Sequence, residues 1–540
     1  MKKFGFHMKH IVVAAACFAV SIMFFTGCDK DDDPQTGVGI ADTEKFYVSA
    51  TANGEKVYTL KVTQTLVKST AVQGDTYVLL YVDKSGEVKT SAGAVTSSDG
   101  NALVLTPASG AAFTVTVTKD GITAISGNIT FTDNSTAAGG TLTPLSTGGE
   151  IEITGAAITD DRVLGVPGMA INYVYNGEGL FAVRNSATLV VLPGTTIRFS
   201  KTSGGIIVEG NATVKMLGTD KLFALDAEGK LSATPSAASG HVTLKGGAAK
   251  GSWDGMVFQT NKENQLIYVD LLNGGSRTDF QNCPAVITLD NGGKLAMSFS
   301  KISGSKCNGL SAGFQGATIA AFDHNVIENC DLAPVYLYQN EFKLAAAFDA
   351  TSEMSNNTLA YVSLPNISLA QGSNTTINKT SVPYYVRDYG GELQSKLTIN
   401  EGVTFYMAES ASLAADYGEG AGQLIINGTA ANPVLFTRLP GTTYYWQYIT
   451  FQYNSSHSIK YCNFEYGGGE EGMGMLDFGR ESTVSLQNVN IRNSNNYGVT
   501  LFAISSVTHN NIVFENCKSG NVGLYYAHIG IVETVLGQLP

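Results

Sequence analysis

Charge is scarce in this chain. Asp, Glu, Lys and Arg together make up 15% of its residues, with 46 acids against 34 bases. No stripe or cluster of Lys and Arg occurs, which argues against a nucleic-acid partner and against adhesion to anionic lipid by charge. Histidine is sparse: beyond the first 28 residues, His241, His324, His457, His509 and His528 lie too far apart for zinc-ligand spacing. No Gly-rich phosphate loop leads into a helix. Amphipathic helical periodicity is nearly absent, which removes the helical and α/β classes. Beyond the first 28 residues, no apolar run is long enough to span a bilayer.

What is present begins with a targeting segment. Lys2, Lys3 and Lys9 precede the apolar stretch Ile11–Phe25, which ends in Phe25-Thr26-Gly27-Cys28 and then Asp29-Lys30-Asp31-Asp32-Asp33. An apolar core of that length with a basic start reads as a cleaved signal. Small residues before a cysteine resemble the lipobox of bacterial lipoproteins. That resemblance implies cleavage after residue 27, lipidation of Cys28, and a lipid anchor as the membrane attachment. The acidic run resembles the export tag of lipoproteins displayed on the outer face of Gram-negative cells, implying an outer-membrane, surface-exposed location. Loss of residues 1–28 would remove three lysines and no acid, leaving 31 bases against 46 acids.

Sixty glycines, abundant Thr, Val and Ile, and alternating runs such as AFTVTVT point to an all-β protein. Residues 29–43 read as an acidic tether. Residues 44–147 hold short alternating strands punctuated by Asn53-Gly54, Asp99-Gly100 and Asp120-Gly121, the pattern of an antiparallel sandwich-like domain. From about residue 150 to 535 the chain repeats itself. LVVLPGTTIRF, GGIIVEG, SWDGMVFQ, YVDLLNGG and HNVIENC in residues 189–330 recur in order as LTINEGVTFYM, GQLIING, YYWQYITFQ, CNFEYGGG and NIVFENC in residues 397–517. The related halves lie at about 150–340 and 380–535. Self-similarity of this kind signals a stacked solenoid. Cys283, Cys307 and Cys330 suggest a coil of about 23 residues, hence roughly 16 coils whose neighbours lie ~4.8 Å apart. Asn329 and Asn516, in matching Glu-Asn-Cys triplets, are expected at left-handed turns. The longer spacing from Gly194 to Trp253 than from Gly402 to Trp446 places an insertion within residues 219–240.

These landmarks are similar to those of right-handed parallel β-helix proteins of pectin-lyase-like architecture, in particular repeat-containing bacterial surface lipoproteins. The resemblance covers about residues 150–530. It implies a right-handed parallel β-helix behind the small antiparallel domain, and leaves activity open, since that scaffold hosts lyases, hydrolases and adhesins alike.

Three function classes follow. The reading adopted is a binder of extended polymers, a polysaccharide or cell-surface glycan, without cleavage. A polysaccharide lyase or glycoside hydrolase is the alternative, and an adhesin or structural surface protein the third. β-Helix enzymes acting on acidic polysaccharides gather carboxylates beside an Arg or Lys. The nearest local match is Glu465, Glu470, Glu471, Asp477 and Arg480. Oxygen ligands on that Gly-rich loop could hold Ca²⁺, although the spacing fits no standard calcium loop. A solvated acidic turn explains the same residues, so no cofactor or metal is assigned. Asp254, Asp270, Asp290 and Asp323 could pair across coils for glycoside hydrolysis, with nothing to select among them. Asp323-His324 reads as a surface pair, because neighbours on a strand face opposite sides. The aromatic run from Tyr444 to Tyr453 is the clearest binding signal, since Tyr and Trp combine an apolar face with a polar tip. Trp253 and Trp446 match across the repeats and are assigned to the scaffold. Tyr444, Tyr445 and Tyr453 lack counterparts and are assigned to carbohydrate contact. The five cysteines after Cys28 read as buried thiols, with a Cys307–Cys330 bridge as the alternative.

Overall fold

The computed structural model describes residues 76–82, 88–99, 102–118, 121–139, 150–165, 170–225, 231–277, 284–312, 316–338, 341–415, 422–453, 456–479, 481–502 and 506–525, with strand pieces at 38–39, 47–48, 57–63, 70–71 and 143–144. Cys28, the rest of the signal segment, Cys283 and Arg480 lie outside the described residues. The fold is all-β: an antiparallel sheet followed by a parallel β-solenoid of about 13 turns. The chain forms two compact units, residues 1–247 with 262–271, and residues 248–261 with 272–540.

In the first unit, strands Val57–Thr63, Thr76–Val82, Val88–Asp99, Ala102–Pro107, Phe113–Thr118 and Gly121–Ser126 pair in sequence order as one antiparallel meander. The antiparallel pairs Tyr47–Val48 with Thr143–Pro144 and Asn128–Thr130 with Thr136–Ala138 accompany this six-stranded sheet. The expected tether is already paired, with Val38–Gly39 antiparallel to Thr70–Ala71. Parallel coils follow. Ile171–Tyr175, Leu180–Val183 and Thr188–Val191 stack in register on Thr195–Phe199, Gly205–Glu209 and Thr213–Leu217. The insertion at 219–240 is a hairpin, Thr219–Leu225 against Leu231–Gly240.

In the second unit one long sheet carries an uninterrupted inward row. Met256, Ile287, Leu310, Val335, Val362, Tyr384, Phe405, Phe436, Phe464 and Ile491 succeed one another in register. Tyr384, Phe405, Phe436 and Phe464 form a column of stacked rings with centroids 5.5, 4.9 and 5.3 Å apart. All four are buried, and each is worth roughly 1.5–3 kcal/mol of transfer free energy. This column is the core that fixes the outward side of the same strands.

The repeat has a structural signature. Trp253 and Trp446 are both fully buried. Each donates its indole N–H to a carbonyl 19 residues on, Leu272 and Glu465 respectively, at 2.8 Å in both. Gly274 and Gly467 follow because a Cβ there would lie 3.0 and 2.6 Å from the indole. Pairs of left-handed residues five positions apart recur beyond the clasp: Phe299 with Gly304, His324 with Asn329, Tyr461 with Tyr466, Asn488 with Asn493, Asn511 with Asn516. Asn is suited to these bends, and Asn516 donates to Asn493 at 3.1 Å as the rungs stack. The halves are nevertheless stepped around the solenoid. Gly255–Gln259, after Trp253, belongs to the long sheet, whereas Ile449–Phe451, after Trp446, belongs to a separate parallel sheet with Gly391–Leu393, Leu413–Ala415, Leu476–Phe478, Tyr497–Phe502 and Gly520–Tyr525. Between them the 3₁₀ helix Phe342–Ala347 interrupts the strand pattern.

Two expectations need correction. The coils are about 13, not 16, because insertions lengthen some turns without adding one. Register partners Thr196 and Thr243 are 47 residues apart, and Thr404 and Leu435 are 31. The cysteine spacing is also not the coil period. Lys301↔Val326 and Leu310↔Val335 set 25 residues there, so Cys307 and Cys330 sit at one corner but two positions out of step. Cys307, Cys330, Cys462 and Cys517 are free thiols, the first three buried.

Candidate functional site

Outward positions of the long sheet in the second unit carry tyrosine in three places. Tyr336, Ser363, Tyr385 and Tyr406 are register neighbours on successive strands. They share the sheet with the inward phenylalanine column because side chains alternate along a strand. Tyr361 packs on Tyr385 with ring centroids 4.8 Å apart. Arg387, at the end of Tyr384–Val386, lies over the Tyr336 ring at 4.0 Å and donates to the Tyr336 hydroxyl. Its Nη2 and Nε donate to the carbonyls of Leu337 and Leu364 at 2.6 and 2.9 Å. That arginine is therefore a tie between coils as well as a surface cation.

The loop 439–448 closes one side. A tight turn at Leu439–Thr442, with Gly441 at φ 84°, folds it back. The Leu439 N–H donates to the Tyr444 hydroxyl at 3.4 Å. Trp446 pins the loop, its N–H donating to the Tyr466 carbonyl at 3.1 Å. Arg438 lies over the Tyr466 ring at 4.0 Å and 5.7 Å from Tyr445, and donates to the Tyr444 carbonyl at 3.0 Å. Burial, with the adjoining Tyr444 and Tyr361 phenols, pushes the Tyr385 hydroxyl up to about 12. Burial also raises Tyr361, with Arg387 opposing. Tyr448 is raised by burial and by its hydrogen bond to the exposed Tyr389. Tyr361, Tyr385 and Tyr448 are thus neutral at physiological pH, able both to donate and to accept.

The sequence-assigned residues divide. Tyr444 and Tyr445 belong to this tyrosine–arginine face. Tyr453 is exposed at the other end of strand Ile449–Phe451, in a left-handed bend at φ 53°. Tyr336, Tyr361, Tyr385, Arg387 and Arg438 complete the face from coils up to a hundred residues away, with no local motif to announce them.

The acidic candidates do not form one group. Glu465 ion-pairs with Arg492 at 3.9 Å, and Arg492 with Glu515 at 3.0 Å, along successive strands. Glu470 and Glu471 are exposed on the turn after Gly467–Gly469. Asp477 is buried between Thr450 and Thr500, accepting from their hydroxyls at 2.9 and 2.6 Å, and burial raises its pKa. Among the described residues no group of three or more His, Cys, Asp or Glu side chains could hold a metal ion. Asp254 accepts from Ser276, Asp270 pairs with His241 at 3.1 Å, and Asp290 accepts from Gln259 at 2.6 Å. Among the described residues no helix is long and apolar enough to cross a membrane.

No family model matches this chain, and no curated protein or solved structure is significantly similar to it. The class defined by the fold is a parallel β-solenoid with an aromatic and arginine-bearing outer face.

Proposed function

We propose that the chain is a lipid-anchored, surface-displayed protein whose β-solenoid binds an extended polymer, a polysaccharide or cell-surface glycan, without cleaving it. The observation that carries this reading is the tyrosine–arginine face on the long sheet of the second unit. Sugars stack apolar ring faces on aromatics and bond their hydroxyls to polar tips, and neutral phenols beside guanidinium groups supply both. A preformed sheet loses little conformational entropy when a chain lies on it. The anchor rests on the basic, apolar and Cys28 sequence at the N-terminus. Two measurements on the mature protein test the reading. A glycan array should retain it, and incubation with uronic-acid polymers should give no ultraviolet-absorbing unsaturated product. Product formation would replace binding by lyase chemistry, and silence on the array would leave the adhesive class.

A further inference from the structure

The second unit holds another aromatic feature, separate from the tyrosine–arginine face. Strands Lys294–Ser298 and Thr318–Asp323 are register neighbours, with Ser298 beside Asp323. Immediately after each, the chain bends through a left-handed residue: Phe299 at φ 51° and His324 at φ 53°. A bulky ring in that conformation is strained, and such strain marks places worth a functional reading. The matching position of the second repeat, in NIVFENC against HNVIENC, is Asn511, which adopts this conformation at less cost.

The bend has a second effect. It swings His324 out of strand alternation, so that its Nδ1 meets the Oδ1 of its own neighbour Asp323 at 3.2 Å. Ser298 Oγ donates to the other oxygen, Oδ2, at 3.0 Å. A carboxylate on Nδ1 fixes the imidazole's orientation and tautomer and leaves Nε2 as the outward polar atom. The imidazole lies parallel on Phe299, with centroids 4.7 Å apart and planes 12° apart. The His324 side chain is 55% exposed, and Phe299 41%. On the next coil the His324 N–H donates to Thr351 Oγ1 at 3.3 Å, and the residues there, Ala350 and Thr351, are exposed and carry no ring.

The geometry points to a sugar-binding subsite at Phe299, Asp323 and His324. The outer face of the His324 imidazole, backed by the Phe299 ring, presents a plate for one face of a pyranose. His324 Nε2 and Asp323, with Thr351 nearby, take ring hydroxyls. An uncharged sugar residue suits a plate flanked by a carboxylate better than an acidic one. This inference rests on the glycan-binding reading above, and gives the polymer a second point of contact.

The test is affinity electrophoresis of the mature protein through gels containing soluble xylan, glucomannan or β-glucan. His324→Asn places the residue of the second repeat at its bend, and Phe299→Asn puts there a residue suited to the left-handed region, so the backbone is relieved rather than strained. Both should fold with an unfolding midpoint at or above that of the wild type. Each should weaken retardation by roughly three- to tenfold. Tyr385→Ala serves as the independent probe of the other face. Retardation lost in Tyr385→Ala but unchanged in both Asn variants would overturn the subsite and leave the proposed function standing. A wild-type protein retarded by none of the three polysaccharides overturns the subsite, while retention on the glycan array would still uphold polymer binding.

Discussion

His457 offers the sharpest quantitative prediction. It is the second residue of the strand Ser456–Glu465, with its ring inside the solenoid, 4.9 Å from Phe451 in an edge-on contact. Its Nδ1 accepts the Leu424 N–H at 3.1 Å, so the proton of the neutral ring sits on Nε2. Adding a second proton puts two donors face to face in an apolar interior, and burial lowers its pKa to about 4. An unfolded chain holds histidine near 6.5. The folded value lies below the unfolded one, so the unfolded state takes up the proton first as pH falls. Stability is therefore complete above about pH 6.5, declines between there and pH 4, and changes no further from this group below 4. The gap between about 4 folded and about 6.5 unfolded corresponds to about 3 kcal/mol. Urea unfolding followed by tryptophan fluorescence reads this directly, since both tryptophans are buried. His457→Asn keeps an acceptor near the Leu424 N–H and removes the titration. The difference between wild type and variant should shrink by about 3 kcal/mol from pH 7 to pH 4. Parallel pH profiles for the two proteins would refute the placement of His457 in the core.

Other perturbations probe the same architecture. Trp446→Phe leaves the Glu465 carbonyl without its indole donor and a cavity beside it, a loss of about 2–4 kcal/mol in urea unfolding. Gly467→Ala should cost about 1–3 kcal/mol, because the new methyl would lie 2.6 Å from both Trp446 and Met475. Glu341 is buried with Oε2 lacking a hydrogen bond, and burial raises its pKa. Its charge thus costs stability once pH rises above the unfolded value, so Glu341→Gln should raise the thermal midpoint at pH 7, with the gain vanishing toward acid pH. Tyr385→Ala should weaken polymer binding by about tenfold, read by isothermal titration.

The sequence announced most strongly what repeats at short range. The tryptophan clasp, the glycine behind it and the Asn-bearing bends were all legible, because each is one residue type required at one position in both halves. The insertion at 219–240 was legible from spacing alone. Cys307 and Cys330 misled, since their separation of 23 falls two short of the local turn; identical residue types at one corner need not occupy one rung. The tyrosine–arginine face was only half visible. Tyr444 and Tyr445 stand in a conspicuous aromatic run, but Tyr336, Tyr361, Tyr385 and Arg387 join them by register, and register follows from coil lengths that vary with each insertion. Asp323 and His324 were read as facing apart, which holds within a strand. The left-handed bend at His324 ends the strand one residue early, and a non-Asn, non-Gly residue gave no sign of it.

Hydrogen–deuterium exchange with and without a retained glycan tests the central claim most directly. The account predicts slowed exchange in 361–364, 384–388, 404–407 and the 439–448 loop, the segments that build the tyrosine–arginine face. Protection confined to other strands, or none at saturating glycan, would contradict it.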